Sequence, residues 1–304
     1  MTQTPSNLHQ PSSLEAASLM VLAGICFAGV NTLTQYLTMR LGIASTTVAF
    51  WQYFAALLFG IPWLVKNGFK HLKTTNLKLH LLRVILASIG VQFWIAGLAS
   101  VPIWQAIALV MTSPFFVTIG ASFFLKENIG IHRWFATFIG FSGGMVILAP
   151  WSDTFSADAT LPVIAAVLWA GVSLITKRLT ISETPESITI YLLLMLTPIN
   201  AALTFGDGGF IIQNELAIMM IGILGILTML AQFFIAKAYD RADASYIQPF
   251  DHLKLPLNIL AGWLIFGFLP TGNLWIGATM IVVASLYIVQ RESKINEKNQ
   301  LSNT

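Results

Sequence analysis

Long apolar runs alternate with short polar connections along the whole chain. No Asp, Glu, Lys or Arg occurs from Ala16 to Met39, Leu41 to Val65, Val84 to Leu125 or Trp134 to Ser152. The same holds from Ala159 to Thr176, Ser187 to Gly206, Leu216 to Ala236 and Leu255 to Gln290. Runs of about 18 or more such residues read as membrane spans, because roughly 20 helical residues cross the hydrocarbon core. The window from Val84 to Leu125 holds two spans and a tight hairpin; the last window holds one span and most of another. The pattern predicts ten helices, near 14–38, 46–65, 79–99, 102–125, 132–149, 160–178, 187–205, 215–238, 244–267 and 273–290. The runs are continuously apolar rather than alternating over ten residues, which argues against a membrane β-barrel.

The chain also repeats itself. Ala28-Gly29-Val30-Asn31-Thr32-Leu33-Thr34 returns as Ala170-Gly171-Val172-Ser173-Leu174-Ile175-Thr176, an offset of 142. Gln92-Phe93-Trp94-Ile95-Ala96 returns as Gln232-Phe233-Phe234-Ile235-Ala236, an offset of 140. Two matches at nearly one offset predict a duplicated unit, residues 14–149 and 160–290, with residues 1–13 and 291–304 as tails. A duplicated membrane unit points toward transport.

Composition removes the soluble alternative. Only 10% of the 304 residues are charged, against roughly 25% in an ordinary soluble domain, so too few remain to cover a wetted surface. The single cysteine, Cys26, lies within a span, which leaves neither a disulfide nor a thiolate metal cage. The first 13 residues carry no Lys or Arg and do not form a signal peptide.

The basic residues orient the bundle. Of 16 Lys and Arg, 14 fall on the side of the even-numbered connections and the termini; Arg40 falls on the other side and Lys254 within a span. This distribution, rather than nucleic-acid binding, accounts for the basic pI, and it predicts that both termini are cytoplasmic. Five spans per copy is an odd number, so the second copy enters the membrane inverted. Inverted copies supply two nearly isoenergetic states, open to either side, and hence alternating access.

Polar groups inside spans are the candidate chemistry, because hydrocarbon does not solvate them. The ninth span carries the sharpest cluster. Asp251, Lys254 and Asn258 share one helical face, Gln248 and His252 lie on the adjacent stripe, and Tyr246 opens the segment. A lone mid-depth lysine costs at least ~2.5–3.5 kcal/mol, and Asp251 at i−3 is placed to neutralise it. Cargo binding, a structural ion pair and a shallow snorkelling Lys254 are the competing readings. Pro249 and Pro256 each free a backbone carbonyl, as Pro114 does in the fourth span. Pro114 corresponds to Pro256 at offset 142, so these prolines are candidate hinges at symmetric places.

Asn31 and Gln35 in the first span, Gln92 in the third, Gln105 in the fourth and Gln232 in the eighth either join helices or bind a polar solute. Trp94, Trp104, Trp169 and Trp51 are placed to stack on a planar or cationic group, whereas Trp63, Trp134 and Trp151 fit interface positions. Gly140-Phe141-Ser142-Gly143-Gly144 contains a GxxxG suited to close helix packing within one chain or between two. No Walker A loop, GxGxxG or HExxH occurs, so no catalytic residue, metal or cofactor is assigned.

The stretch Ser113-Pro114-Phe115-Phe116-Val117-Thr118 through Phe124-Leu125-Lys126-Glu127-Asn128, with Arg133-Trp134 and the Gly140–Leu148 run, resembles the drug/metabolite transporter superfamily, EamA branch. The resemblance covers about Leu14 to Gln290. It implies ten helices, N-in/C-in topology in a bacterial inner membrane, and a cavity between inverted halves. It places the family's fourth-span proline at Pro114 and its following glutamate at Glu127. Where a second glutamate follows the ninth span in the pattern, this chain reads Gly267-Phe268-Leu269-Pro270. Pro249–Pro256 is similar to members that carry S-adenosylmethionine; the branch also holds amino acid exporters and riboflavin-type uptake proteins.

The resulting expectation is an all-α polytopic membrane protein of ten helices in two inverted five-helix repeats. It is a secondary transporter of a small polar or zwitterionic metabolite, S-adenosylmethionine-like or amino-acid-like, with the lipid bilayer as its other partner. Export of amino acids or amphiphilic drug-like compounds is the alternative, and a non-transporting membrane enzyme or assembly factor is the alternative from another class. A coupling proton or cation, and the choice between monomer and homodimer, stay open.

Overall fold

A computed structural model describes residues 13–67, 74–100, 103–127, 129–149, 151, 157–206, 209–251, 253–267 and 272–302. The chain folds as an all-α bundle in which, among the described residues, twelve α-helices build ten spans. These are α1 (Ser13–Gln35), α2 (Ser45–Asn67), α3 (Leu77–Ser100), α4 (Ile103–Val110), α5 (Ser113–Gly120), α6 (Ile131–Leu148), α7 (Thr160–Leu179), α8 (Pro185–Gly206), α9 (Glu215–Arg241), α10 (Ala244–Asp251), α11 (Lys254–Phe266) and α12 (Gly272–Ser302). The last helix does not stop near Gln290 but continues to Ser302, because the polar Arg291–Ser302 stretch contains neither Gly nor Pro.

The fourth and ninth spans are each two helices, α4–α5 and α10–α11. Helix α4 ends at Val110 and α5 begins at Ser113; α10 ends at Asp251 and α11 begins at Lys254, each 141 residues later. Each break precedes a proline at the start of the next helix, Pro114 or Pro256. Proline suits a first turn, where its missing N–H was an orphan in any case. The hinge expected at Pro249 is not where the chain breaks: α10 runs through that position to Asp251. The broken spans also end alike, at left-handed residues Lys126 (φ 55°) and Gly267 (φ 71°), again 141 apart.

Helix pairing follows a pseudo-two-fold axis. Helix α1 packs on α9 and α7 on α3, which are equivalent contacts once α1 is matched to α7 and α3 to α9. Helices α2 with α8, and α6 with α12, pair across the axis itself. The Ala-Gly-Val repeat marks the notch for these contacts. A Cβ on Gly29 would lie 2.8 Å from Cδ1 of Leu227, and one on Gly171 would lie 3.1 Å from Cδ1 of Leu86. Gly143, in the GxxxG region, meets the Gly277 carbonyl oxygen of α12 at 2.7 Å on the same measure, so this small face is used within the chain.

Connections sort by parity, as helices crossing one after another require. Thr74 and Asn76 of the second connection bond Glu183 and Ser182 of the sixth, and Glu127 of the fourth bonds Ala244 after the eighth. At the other end, Thr47 and Trp51 donate to the carbonyls of Gly209 and Phe210, each at 2.9 Å. The first group defines what we call the basic end, the second the opposite end.

Gly225 on α9 packs against backbone: a Cβ there would fall 2.5 Å from Ala55 Cβ and 2.9 Å from its carbonyl carbon. Backbone cannot yield as a side chain can. Gly225→Ala is expected to cost about 1–3 kcal/mol. Gly222→Ala on the same helix, where a Cβ meets nothing within 4 Å, should cost nothing. Thermal unfolding in detergent decides, and equal melting of the two variants would overturn the packing argument.

Candidate functional site

The two charges of the ninth span flank its break: Asp251 ends α10 and Lys254 begins α11. They form an ion pair whose side chains are 10% and 14% exposed. Position explains the arrangement. The C-terminal carbonyls of α10 favour a cation and the N-terminal N–H groups of α11 favour an anion. Asp251 ends α10 and Lys254 begins α11, so each charge opposes the dipole of its own helix end and is compensated by the other charge across the break.

Helix α1 supplies the docking surface. Gly24, Phe27 and Asn31 are spaced 3 and 4 apart and share a face. Gly24 lets the Lys254 side chain lie close, since a Cβ there would be 3.4 Å from its Cγ. The Lys254 ammonium sits 4.8 Å from the Phe27 ring centroid, a cation–π contact. Asn31 donates from Nδ2 to Oδ1 of Asn258 at 2.9 Å, and Asn258 in turn donates to the Lys254 carbonyl at 2.7 Å. One turn further along α1, the Gln35 amide nitrogen is buried with no hydrogen-bond partner among the described residues.

The other side of the site is aromatic. Trp94 of α3 and Trp169 of α7 meet with ring centroids 6.0 Å apart at 51°. Both, like Phe93 and Ile259, pack against a buried apolar cluster that includes Met111 and Leu255, beside the two helix breaks. Helix α11 therefore carries Lys254 and Asn258 to α1, while its Leu255 and Ile259 belong to the same apolar cluster as the tryptophans. At offset 142 the polar set Asp251, Lys254, Asn258 corresponds to Leu109, Thr112 and Phe116, and Phe27 corresponds to Trp169. The pseudo-symmetric halves thus give the site one charged, amide-rich wall and one aromatic wall.

The site is closed toward the basic end. Helices α5 and α10 pack along each other there, whereas α4 and α11 meet at only a few positions on the opposite side. Val117, Tyr239, Tyr246, Ile247 and Phe250 belong to the buried cluster that fills the closed end. Glu127 caps α10, accepting the Ala244 N–H at 2.9 Å, and Lys177 donates to the carbonyls of Tyr239 and Ala242 at 2.8 and 2.7 Å. Arg133 pairs with Asp243 at 3.4 Å and lies 5.6 Å from the Tyr246 ring centroid.

Of the residues expected to bind cargo, Asp251, Lys254, Asn258, Asn31, Trp94 and Trp169 come together around the two breaks, with Gln35 adjacent. Tyr246 instead belongs to the closed end. Gln92 is exposed and Gln232 half-buried. His252 lies outside the described residues, as do the side chains of Gln248, Pro249, Trp104 and Gln105. Trp51 is engaged with Phe210 at the opposite end. A second buried network went unseen in the sequence. Glu183 accepts from Thr74, from Asn76 at 3.4 Å and from His80 at 2.7 Å, while Arg83 donates to the Ile188 carbonyl at 3.0 Å. Each of its bonds joins residues more than 100 positions apart, so no local spacing announces it.

A family profile described as "EamA-like transporter family" matches residues 14–149 and 159–290. The chain is 51% identical over 298 residues to a riboflavin transporter of Rhizobium johnstonii, covering 98% of each chain. It is 30% identical to an S-adenosylmethionine uptake transporter of Rickettsia conorii, covering 89% of this chain and 91% of that one. A protein of known crystal structure, only 15% identical, shares the fold with a TM-score of 0.70 over 90% of this chain and 98% of its own.

Proposed function

This chain belongs to the EamA-like transporter family, secondary carriers of small polar metabolites, and on that premise we propose that its cargo is riboflavin or a flavin of the same shape. The observation that carries this reading is the two-walled site. Riboflavin is a neutral solute with a flat tricyclic ring, a carbonyl-and-N–H edge and a polyol chain. Trp94 and Trp169 offer the ring an aromatic surface, and Asn31, Asn258 and the buried amide of Gln35 offer its polar edge donors and acceptors. Asp251 and Lys254 cancel each other's charge, so the site is net neutral. A cationic cargo such as S-adenosylmethionine needs a carboxylate that is not already neutralised.

The two repeats, residues 14–149 and 160–290, are the units that exchange conformation. The basic end faces the cytoplasm, as the lysine and arginine distribution supports. On this reading the closed end is the cytoplasmic one, which supports an outward-facing state of a bacterial inner-membrane carrier. The breaks at Pro114 and Pro256 are the hinges, because a span already split into two helices can reorient one half without breaking further backbone bonds.

Uptake of radiolabelled riboflavin into proteoliposomes of the purified protein tests the assignment, with unlabelled riboflavin, S-adenosylmethionine and aromatic amino acids as competitors. Saturable uptake displaced by riboflavin alone is expected. Displacement by S-adenosylmethionine or amino acids in preference to riboflavin would sink the assignment and leave the family membership standing.

A further inference from the structure

The aromatic wall depends on a glycine. A Cβ at Gly90 of α3 would fall 2.6 Å from Nε1, 2.9 Å from Cδ1 and 3.3 Å from Cε2 of Trp169. Real Cβ atoms do not approach ring atoms so closely, so the five-membered edge of the indole occupies the space that any side chain at position 90 needs. The other half lacks this arrangement: the positions corresponding to Trp169 and Gly90 hold Phe27 and Leu230, at offsets of 142 and 140. At these positions one half carries a large ring and no side chain, the other a smaller ring and a leucine. Trp169 also meets Trp94 and packs against the buried cluster that holds Leu255 and Met111.

We propose that Gly90 is a specificity-determining residue: by seating the Trp169 indole against the α3 backbone, it holds the aromatic wall back and leaves room for a planar ring. A methyl at position 90 pushes the indole toward the site and narrows that room, while the charged wall on α11 is untouched. Gly90 acts through Trp169 and is a positioning residue rather than a contact to cargo. The inference rests on the flavin reading above. Wild-type protein that moves no riboflavin defeats that reading, whereas wild-type uptake with an unaltered Gly90 variant defeats only the seat.

Concentration-dependent riboflavin uptake is measured for wild type, Gly90→Ala, Trp169→Phe and the double variant, with ring-only alloxazine and ring-free ribitol as competitors. Gly90→Ala is expected to raise KM about tenfold, with the maximal rate within about twofold of wild type. In the Trp169→Phe background the same methyl should change KM little, because the smaller ring vacates the space. Alloxazine should compete poorly against Gly90→Ala, and ribitol as it does against wild type. An unchanged KM, or an equal rise in both backgrounds, overturns the proposal. A Gly90→Ala protein that fails to fold while the double variant folds also overturns it, since the seat then serves packing alone. If both fail to fold, Trp169→Phe decides: weakened alloxazine competition supports the wall, and undiminished competition overturns it.

Discussion

Lys254→Met is expected to abolish riboflavin uptake and to melt at a lower temperature than either the wild-type protein or the Asp251→Asn/Lys254→Met double variant. The single change removes the ammonium and leaves the Asp251 carboxylate, in a residue only 7% exposed, without its compensating charge. Stranding one partner of a buried pair costs about 3–5 kcal/mol, whereas removing both also removes the desolvation penalty and is often near neutral. The double variant should therefore recover most of the lost stability. It should not recover uptake, because the polar wall has lost both of its charges. Thermal unfolding in detergent and proteoliposome uptake read the two effects separately. A double variant that transports at the wild-type rate would reduce the pair to a structural device; a single variant as stable as wild type would contradict its burial.

Glu183→Ala should destabilise the protein by about 3 kcal/mol or more, from three hydrogen bonds to a charged acceptor in a largely buried setting. The carboxylate gathers Thr74, Asn76 and His80 from the first half onto the second half's sixth connection, and both it and His80 are nearly inaccessible. Glu183→Gln keeps the acceptor oxygen and should lose less than half as much. The comparison is made by thermal unfolding in detergent, and equal losses for the two substitutions would show that shape rather than hydrogen bonding matters there. Because the network joins the halves at the basic end, Glu183→Ala should also make that end easier to open. Cysteines introduced into the second connection should label faster in this variant than in otherwise wild-type protein.

Much of the architecture was legible in the sequence because hydrocarbon imposes a one-dimensional rule. A span needs enough consecutive apolar residues and tolerates few charges, so counting finds the ten spans without knowledge of contacts. The duplication was likewise local evidence, and with an odd number of spans per copy it implied inversion. Pro114 and Pro256 announced the broken spans, since a proline acts on the backbone a few residues away. Asp251 and Lys254 announced an ion pair, since i and i+3 share a helical face whatever the fold. Pro249 lies inside α10, which continues to Asp251, so that proline does not itself mark the end of the helix.

The sequence by itself determined the spans, their parity, the repeat and the ion pair, all of which follow from solvation and helical geometry within a few turns. The tertiary structure alone decided which polar residues meet: Asn31 reaches Asn258 across 227 positions, and Glu183 reaches His80 across 103. It also set the tryptophans opposite the charged wall, seated Trp169 on Gly90, and moved Tyr246 into the closed end. These outcomes depend on which faces of distant helices pack together. That choice is made by the summed fit of notches such as Gly29 with Leu227 and Gly171 with Leu86, and dispersion between close-packed atoms is too short-ranged and too collective to be read from any one residue's neighbours in sequence.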